Sequence, residues 1–159
     1  EISREDEVIP QVVAGVEMQI PYRRGDRLTV GVEAFYNEAG YDGANLIPWL
    51  FFNDGYVPFY VGTRYAGAYA LLMAPGSWDE TNFLVTVLAN LSDRSNIARL
   101  DITQQVLQHL RWNAFGNYHF GEVGEFNYGV EIVPNIFTPE GVTIARPLFE
   151  AGVGLQLDL

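Results

Sequence analysis

Cysteine is absent from the 159 residues, which excludes a disulfide framework and any thiolate metal site. Histidine is nearly absent too: His109 and His119 are the only two, and no His-x-x-x-His or His-Glu-x-x-His spacing occurs. No metal or cofactor is therefore expected. Basic residues number 9 against 20 acidic ones, for a net charge of -11. Nucleic-acid binding rests on neutralising phosphates with Lys and Arg, so that partner class is excluded. No window approaches the ~18 unbroken apolar residues that a spanning helix requires. The start, Glu1 to Glu7, is charged and polar, with no basic segment leading into an apolar one. Either a leader has been removed or the chain is a fragment.

The residues that are plentiful point another way. Aromatics reach 14%, glycines number 16, and charged residues fall to 18%, below the roughly 25% of an average soluble domain. The dominant pattern has period two. Val12, Ala14, Val16, Met18 and Ile20 fall on one face, with Gly15, Glu17 and Gln19 on the other, as a pleated strand demands. After a polar turn at 23–27, Leu28, Val30, Val32, Ala34 and Tyr36 oppose Thr29, Gly31 and Glu33. Further strands are expected at 46–52 and, after the turn Asn53-Asp54-Gly55, from Val57, where Tyr65 and Tyr69 oppose Arg64, Ala66 and Ala68. A loop at 73–81, a strand through Phe83, Val85 and Val87, and a turn at 92–96 follow. Phe126, Tyr128, Val130 and Ile132 alternate after a turn at 121–125, and a loop near Pro139 precedes the last strand.

The stretch 97–120 has two readings. As strand it alternates, but Gln104 and Gln108 then join the apolar face; as helix, 101–111 brings Ile102, Val106, Leu107 and Leu110 near helical spacing. One strand here gives eight in all, with the tight turns pointing outward. Two strands joined near 104–108 turn them inward and make the count odd, implying a strand upstream of Glu1. The second arrangement is preferred.

The composition of the two faces separates a membrane sheet from a soluble one. A soluble barrel packs its apolar face inward and presents dense charge to water; here the second face is sparse in charge and rich in Gly, Ala, Thr, Asn and Gln. That suits a confined lumen with the apolar face on lipid. Tyr, Trp and Phe concentrate near strand ends, as at headgroup depth. The expected fold is all-β: an antiparallel up-and-down transmembrane barrel of about eight to ten strands, with a short helix near 101–111 as the variant. Residues 1–9 form a polar N-terminal segment, and 10–159 a single barrel domain or the C-terminal part of a larger one.

The last strand carries a family feature. Phe149, Ala151, Val153, Leu155, Leu157 and Leu159 alternate with Glu150, Gly152, Gly154, Gln156 and Asp158. This resembles the C-terminal strand that bacterial outer-membrane β-barrel proteins present to the barrel-assembly machinery, although the family most often ends in Phe and this chain ends in Leu159. The resemblance implies an outer-membrane location, a lipid-bilayer environment and the assembly machinery as a partner during biogenesis. A partner protein or a homo-oligomer is compatible with it.

Glu17, Glu33, Arg64, Arg99, Asp101, Arg111, Glu131 and Glu150 are expected to project into the lumen as a charge network, since isolated buried ions are costly. No catalytic residue is assigned: a lipid hydrolase would need Ser77, Ser92 or Ser95 beside a histidine and a carboxylate. The functions expected are a narrow pore, or a membrane anchor for outer loops or a partner protein. The alternative is a soluble lipocalin-like barrel holding a small apolar ligand.

Overall fold

The computed structural model describes residues 9–23, 25–43, 61–132 and 142–157. Among the described residues nine strands follow one another: β1 (Gln11–Pro21), β2 (Arg27–Asn37), β3 (Arg64–Met73), β4 (Thr81–Asn90), β5 (Ser95–Leu107), β6 (Leu110–Gly121), β7 (Val130–Ile132), β8 (Val142–Ile144) and β9 (Phe149–Leu157). Seven of them form one sheet in the order β1-β2-β3-β4-β5-β6-β9, while β7 and β8 make a separate hairpin. Every pair is antiparallel. The fold is thus all-β and up-and-down. Among the described residues the seven-stranded sheet is not closed into a barrel, and β1 and β9 stand at its two edges.

The hairpin between β5 and β6 replaces the helix considered for 101–111. Strand pairing brings Ile102 opposite Ala114 and Gln104 opposite Trp112, and Trp112 Nε1 donates to Gln104 Oε1 at 2.9 Å. The glutamine that seemed misplaced on an apolar face is satisfied across the strands. Gln108 sits in the turn, its carbonyl accepting from Gln105 Nε2 at 3.2 Å. The chain forms two strands here, as preferred from the sequence, but the turn falls at 108–109 and residues 104–107 belong to β5.

Three other expectations change. The alternating strand through Phe126 and Tyr128 is irregular backbone, and β7 begins only at Val130. Tyr65 and Tyr69 lie on the polar face, because register pairs Tyr65 with Phe35 and Asn90, and Tyr69 with Gly31 and Thr86. The tight turns do not share one end as the two-strand arrangement implied: 22–26, 74–80 and 108–109 lie at one end of the sheet, and 91–94 and 121–125 at the other. The strand at 46–52, the turn at 53–55 and Val57 fall outside the described residues.

The result is a sheet with two unlike ends. Connections 22–26, 74–80 and 108–109 are short and share one end with the close of β9; at the opposite end the chain leaves β2 and re-enters at β3, and leaves β6 and re-enters at β9, across the longer spans 38–63 and 122–148, with only 91–94 short. Strands of the main sheet run from 9 to 13 residues, the length a tilted strand needs to cross a hydrocarbon layer.

Pairing register sorts the side chains into two faces. One carries Val12, Val16, Met18, Val30, Val32, Ala68, Ala70, Val85, Val87, Leu100, Ile102, Ala114, Val153 and Leu155, with Arg64 its only charge in the main sheet. The other is mixed: it carries Glu17, Glu33, Tyr69, Thr86, Arg99, Asp101, Asn113, Asn117, His119 and Glu150 among glycines, together with Val13, Phe35, Leu71, Leu84, Leu88, Ile97 and Phe115. Burial runs against the usual rule that apolar side chains fill the interior. Among the described residues the only buried hydrophobic is Tyr65, while Thr29, Asn37, Thr81, Asn90, Asp93, Ser95, Asn117 and Asn127 are all buried. Val16 stays 67% exposed and Val153 86% exposed.

Candidate functional site

The polar face and the long-loop end that caps it gather most of the described hydrogen-bonding chemistry. Mid-sheet, Glu17 on β1 and Tyr69 on β3 stand on either side of Gly31. The Tyr69 hydroxyl donates to the Glu17 carboxylate, its ring lying across Gly31. A Cβ at that glycine would come within 2.3 Å of the ring, so only glycine lets the aromatic lie flat there. Gly152 admits Phe115 in the same way, with a would-be Cβ 2.6 Å from its ring. The Arg99 guanidinium carbon sits 4.5 Å from the centroid of the Phe115 ring, and the group holds Asp101 through two bonds of 2.7 and 2.6 Å. A bidentate pair beside an aromatic is the geometry in which arginine exceeds lysine.

The long-loop end is built around the β4–β5 turn. Asn90, Asp93 and Ser95 are almost wholly inaccessible. Asn90 Oδ1 accepts from the amide of Ser92 at 2.9 Å, and Asp93 Oδ1 accepts from the amide and hydroxyl of Ser95 at 2.8 and 2.6 Å. These side-chain turns replace backbone pairing at the tip. Arg94 takes φ 61° there. The facing position must be glycine: a Cβ on Gly121, itself at φ 95°, would meet the Arg94 carbonyl at 2.3 Å.

Residues 122–129 fold back over this turn. Asp93 Oδ2 accepts the amide of Glu125 at 2.7 Å, and Ser95 Oγ accepts that of Phe126 at 3.0 Å. With both amides committed to the turn, this segment cannot enter a ladder, which is why the expected strand at 126 does not form. Asn90 Nδ2 then donates to Asp93 Oδ2 at 3.1 Å and to Glu125 Oε2 at 3.0 Å, and the Tyr65 hydroxyl donates to the same Glu125 oxygen at 2.5 Å. Tyr65 packs against Phe35 and Phe126, with ring centroids 6.0 and 6.1 Å away. Gly124 makes the docking close, since a Cβ there would fall 2.4 Å from Asp93 Cγ. Beside the cluster lies a cavity of about 240 Å³ lined by Glu33, Phe35, Tyr65, Gly67, Leu88 and Phe126.

The eight charged residues singled out in the sequence divide. Glu17, Glu33, Arg99, Asp101, Arg111 and Glu150 share the polar face. Arg99 binds Asp101, and Glu150 accepts from Asn117 Nδ2 at 3.1 Å with His119 Nε2 at 3.6 Å, so they form local pairs and not one continuous network. Arg111 stands opposite Gln105 and Gln156. Arg64 is on the other face, at its margin, where it pairs with Asp42 at 3.0 Å. Glu131 belongs to the separate β7–β8 hairpin, and its side chain lies outside the described residues. Of the C-terminal pattern, Phe149, Ala151, Val153, Leu155 and Leu157 fall on one face of β9; Leu159 lies outside the described residues.

Sequence reasoning missed Asn90, Asp93, Ser95, Tyr65 and Glu125 as a unit. The signal available was the short run of Asn, Asp and Ser around a turn, but nothing local shows that a segment 30 residues onward supplies the amides. Ser92 Oγ accepts from the amides of Thr63 and Arg64 at 3.0 and 2.9 Å, and Ser95 is held by Asp93. His119 Nδ1 meets the Phe126 carbonyl at 2.5 Å. Among the described residues no group of three or more His, Asp or Glu side chains is placed to hold a metal ion. Comparison with known families, characterised proteins and solved structures finds no match.

Proposed function

We propose that this chain is the membrane-spanning part of a bacterial outer-membrane β-barrel that anchors its long loops at the outer surface. One observation carries the reading: the aliphatic face is exposed along the sheet while, among the described residues, the buried side chains other than Tyr65 are polar. A sheet that sorts itself this way is stable where the solvent is hydrocarbon, since apolar rows cost nothing there and polar groups pair inside. The asymmetry of the ends supports the same orientation, with short turns and the end of β9 on the periplasmic side and long connections outside. The β9 pattern is the feature that the barrel-assembly machinery would read.

An anchor is favoured over a wide channel because the polar face is filled by its own side chains. Tyr69 bridges to Glu17, Arg99 to Asp101, and 122–129 covers one end. The cavity beside Glu33 and Tyr65 supports a second role as a narrow pore. A lipocalin-like carrier needs its aliphatic rows facing an inner ligand, and exposed Val16 and Leu155 weigh against it. No catalytic role is assigned. Membrane fractionation followed by reconstitution into planar bilayers tests the reading. The protein should require detergent for extraction and give no discrete conductance as an anchor. Regular conductance steps would favour the pore, and extraction into plain aqueous buffer would end the membrane reading.

A further inference from the structure

We propose that the cavity beside Glu33 is a binding site for a small organic cation of the quaternary-ammonium type. The cavity encloses about 240 Å³, below the roughly 300–1,000 Å³ of pockets for drug-sized ligands, so its guest is small. Strand register sets its place. Gly15, Glu33, Gly67 and Leu88 stand in one row across β1 to β4, and Phe35 and Tyr65 lie in the next polar-face row toward the long-loop end. Gly67 keeps the floor low, since a Cβ there would meet Leu88 at 3.2 Å. Phe126 closes the hollow from the segment folded over the β4–β5 turn.

The walls select the charge of the guest. Three rings line the cavity, and Tyr65 stands at 33° to Phe35 and 63° to Phe126, so they are not stacked flush on one another. Aromatic rings attract a cation within about 6 Å of their centroids, and a quaternary ammonium brings methyl groups to the same contact. Glu33 supplies the opposite charge: among the described residues its carboxylate has neither a hydrogen bond nor an ion pair. Asp93 and Glu125 add two carboxylates in the cluster behind Tyr65. The arginines do not offset them, since Arg64, Arg94 and Arg99 pair with Asp42, Glu122 and Asp101. An anion would meet like charge here, and a neutral guest would cover Glu33 without answering it.

The rings are fixed before any ligand arrives. The Tyr65 hydroxyl donates to Glu125 at 2.5 Å, and the Phe126 amide donates to Ser95 Oγ at 3.0 Å, so binding orders little and loses little affinity to ordering. The site depends on the polar face alone; the membrane reading decides only from which side the cation enters.

The test is calorimetric titration of the full-length polypeptide in detergent with choline and with its uncharged carbon isostere, 3,3-dimethylbutan-1-ol. Saturable binding of choline at one site per chain is expected, about tenfold or more tighter than the alcohol. Glu33→Gln and Phe35→Leu should each weaken choline by about tenfold, and Gly67→Ala, which raises the floor, should weaken it as well. Asp79→Asn removes a carboxylate from the turn at the opposite end of the sheet and should leave binding unchanged. No saturable binding of choline would overturn the proposal. Equal affinity for the alcohol would show an apolar pocket indifferent to charge and also overturn it. An equal loss in Asp79→Asn and Glu33→Gln would mean diffuse attraction to a chain of net charge -11, with no site. Glu33 is exposed, so Glu33→Gln keeps the test decisive should Phe35→Leu fold poorly. Extraction into plain buffer would strike the membrane reading separately, and the same titration there would still decide the site.

Discussion

Placing a charge in the middle of the aliphatic face separates a lipid-facing sheet from a water-facing one. Val85 is 43% exposed and central in β4, paired in register with Ala70 on one side and Leu100 on the other. In the main sheet the face offers Arg64 as its only charge, at the margin, so an arginine at Val85 finds no carboxylate partner on its own face. If this row meets acyl chains near the midplane, Val85→Arg should cost about 2–4 kcal/mol, falling to about 0–1 near the interfaces. Val12→Arg supplies the internal control: Val12 pairs with Tyr36, which in turn pairs with Arg64, in the outermost row. The difference between the two variants should therefore be at least 1 kcal/mol by the same figures, roughly fivefold or more in the folded-to-unfolded ratio. Reversible urea unfolding in lipid vesicles, followed by tryptophan fluorescence, gives both values. Exposed surface substitutions in water stay within about 0.5 kcal/mol. Equal and small effects at Val85 and Val12 would refute the assignment of this face to lipid.

Three further outcomes follow from the polar face and its cap. Gly31→Ala places a Cβ against the Tyr69 ring, so the ring must leave Glu17; a loss of about 1–3 kcal/mol is expected from overpacking, read as a lower thermal midpoint, and an unchanged midpoint would contradict the close approach. Asn90→Ala removes the amide that bridges Asp93 and Glu125, with an expected cost of about 1–3 kcal/mol for the buried acceptors left behind. Hydrogen exchange at 122–129 should accelerate while β1 and β2 keep their protection; uniform exchange throughout would show that the network does not hold the segment. Gly124→Ala, which crowds Asp93, should release the same amides of Glu125 and Phe126 without touching Asn90, and retained protection there would count against the docking.

Much of the sheet was legible because alternation is local. Val12 to Ile20, Leu28 to Tyr36 and Phe149 to Leu157 each declare a face within one strand, and their pairing follows from that face. The two-strand reading of 97–120 was reachable from topology, although only the Trp112–Gln104 bond explains why a glutamine sits in an apolar row. Tyr65 and Tyr69 misled because tyrosine suits either surface: a ring that looks apolar in sequence carries a hydroxyl that reaches Glu125 or Glu17 once the strands align. Arg64 was placed on the wrong side by the same slip, since one misjudged residue reverses a whole strand. The end cluster was invisible for a different reason. Asp93 and Ser95 look like ordinary turn residues until Glu125 and Phe126 arrive from beyond β6, a contact between distant segments that no periodicity encodes.

Which face of the sheet meets hydrocarbon is measured directly by collision with small paramagnets. Single spin labels at Val16, Val87 and Val153, against Glu17 and Thr86 on the other face, would be read in lipid vesicles with oxygen and with a water-soluble nickel complex. High oxygen and low nickel accessibility at the three valines, with the reverse or with mutual protection at Glu17 and Thr86, is the expected pattern. Nickel reaching the valines as freely as water reaches an open sheet would contradict it.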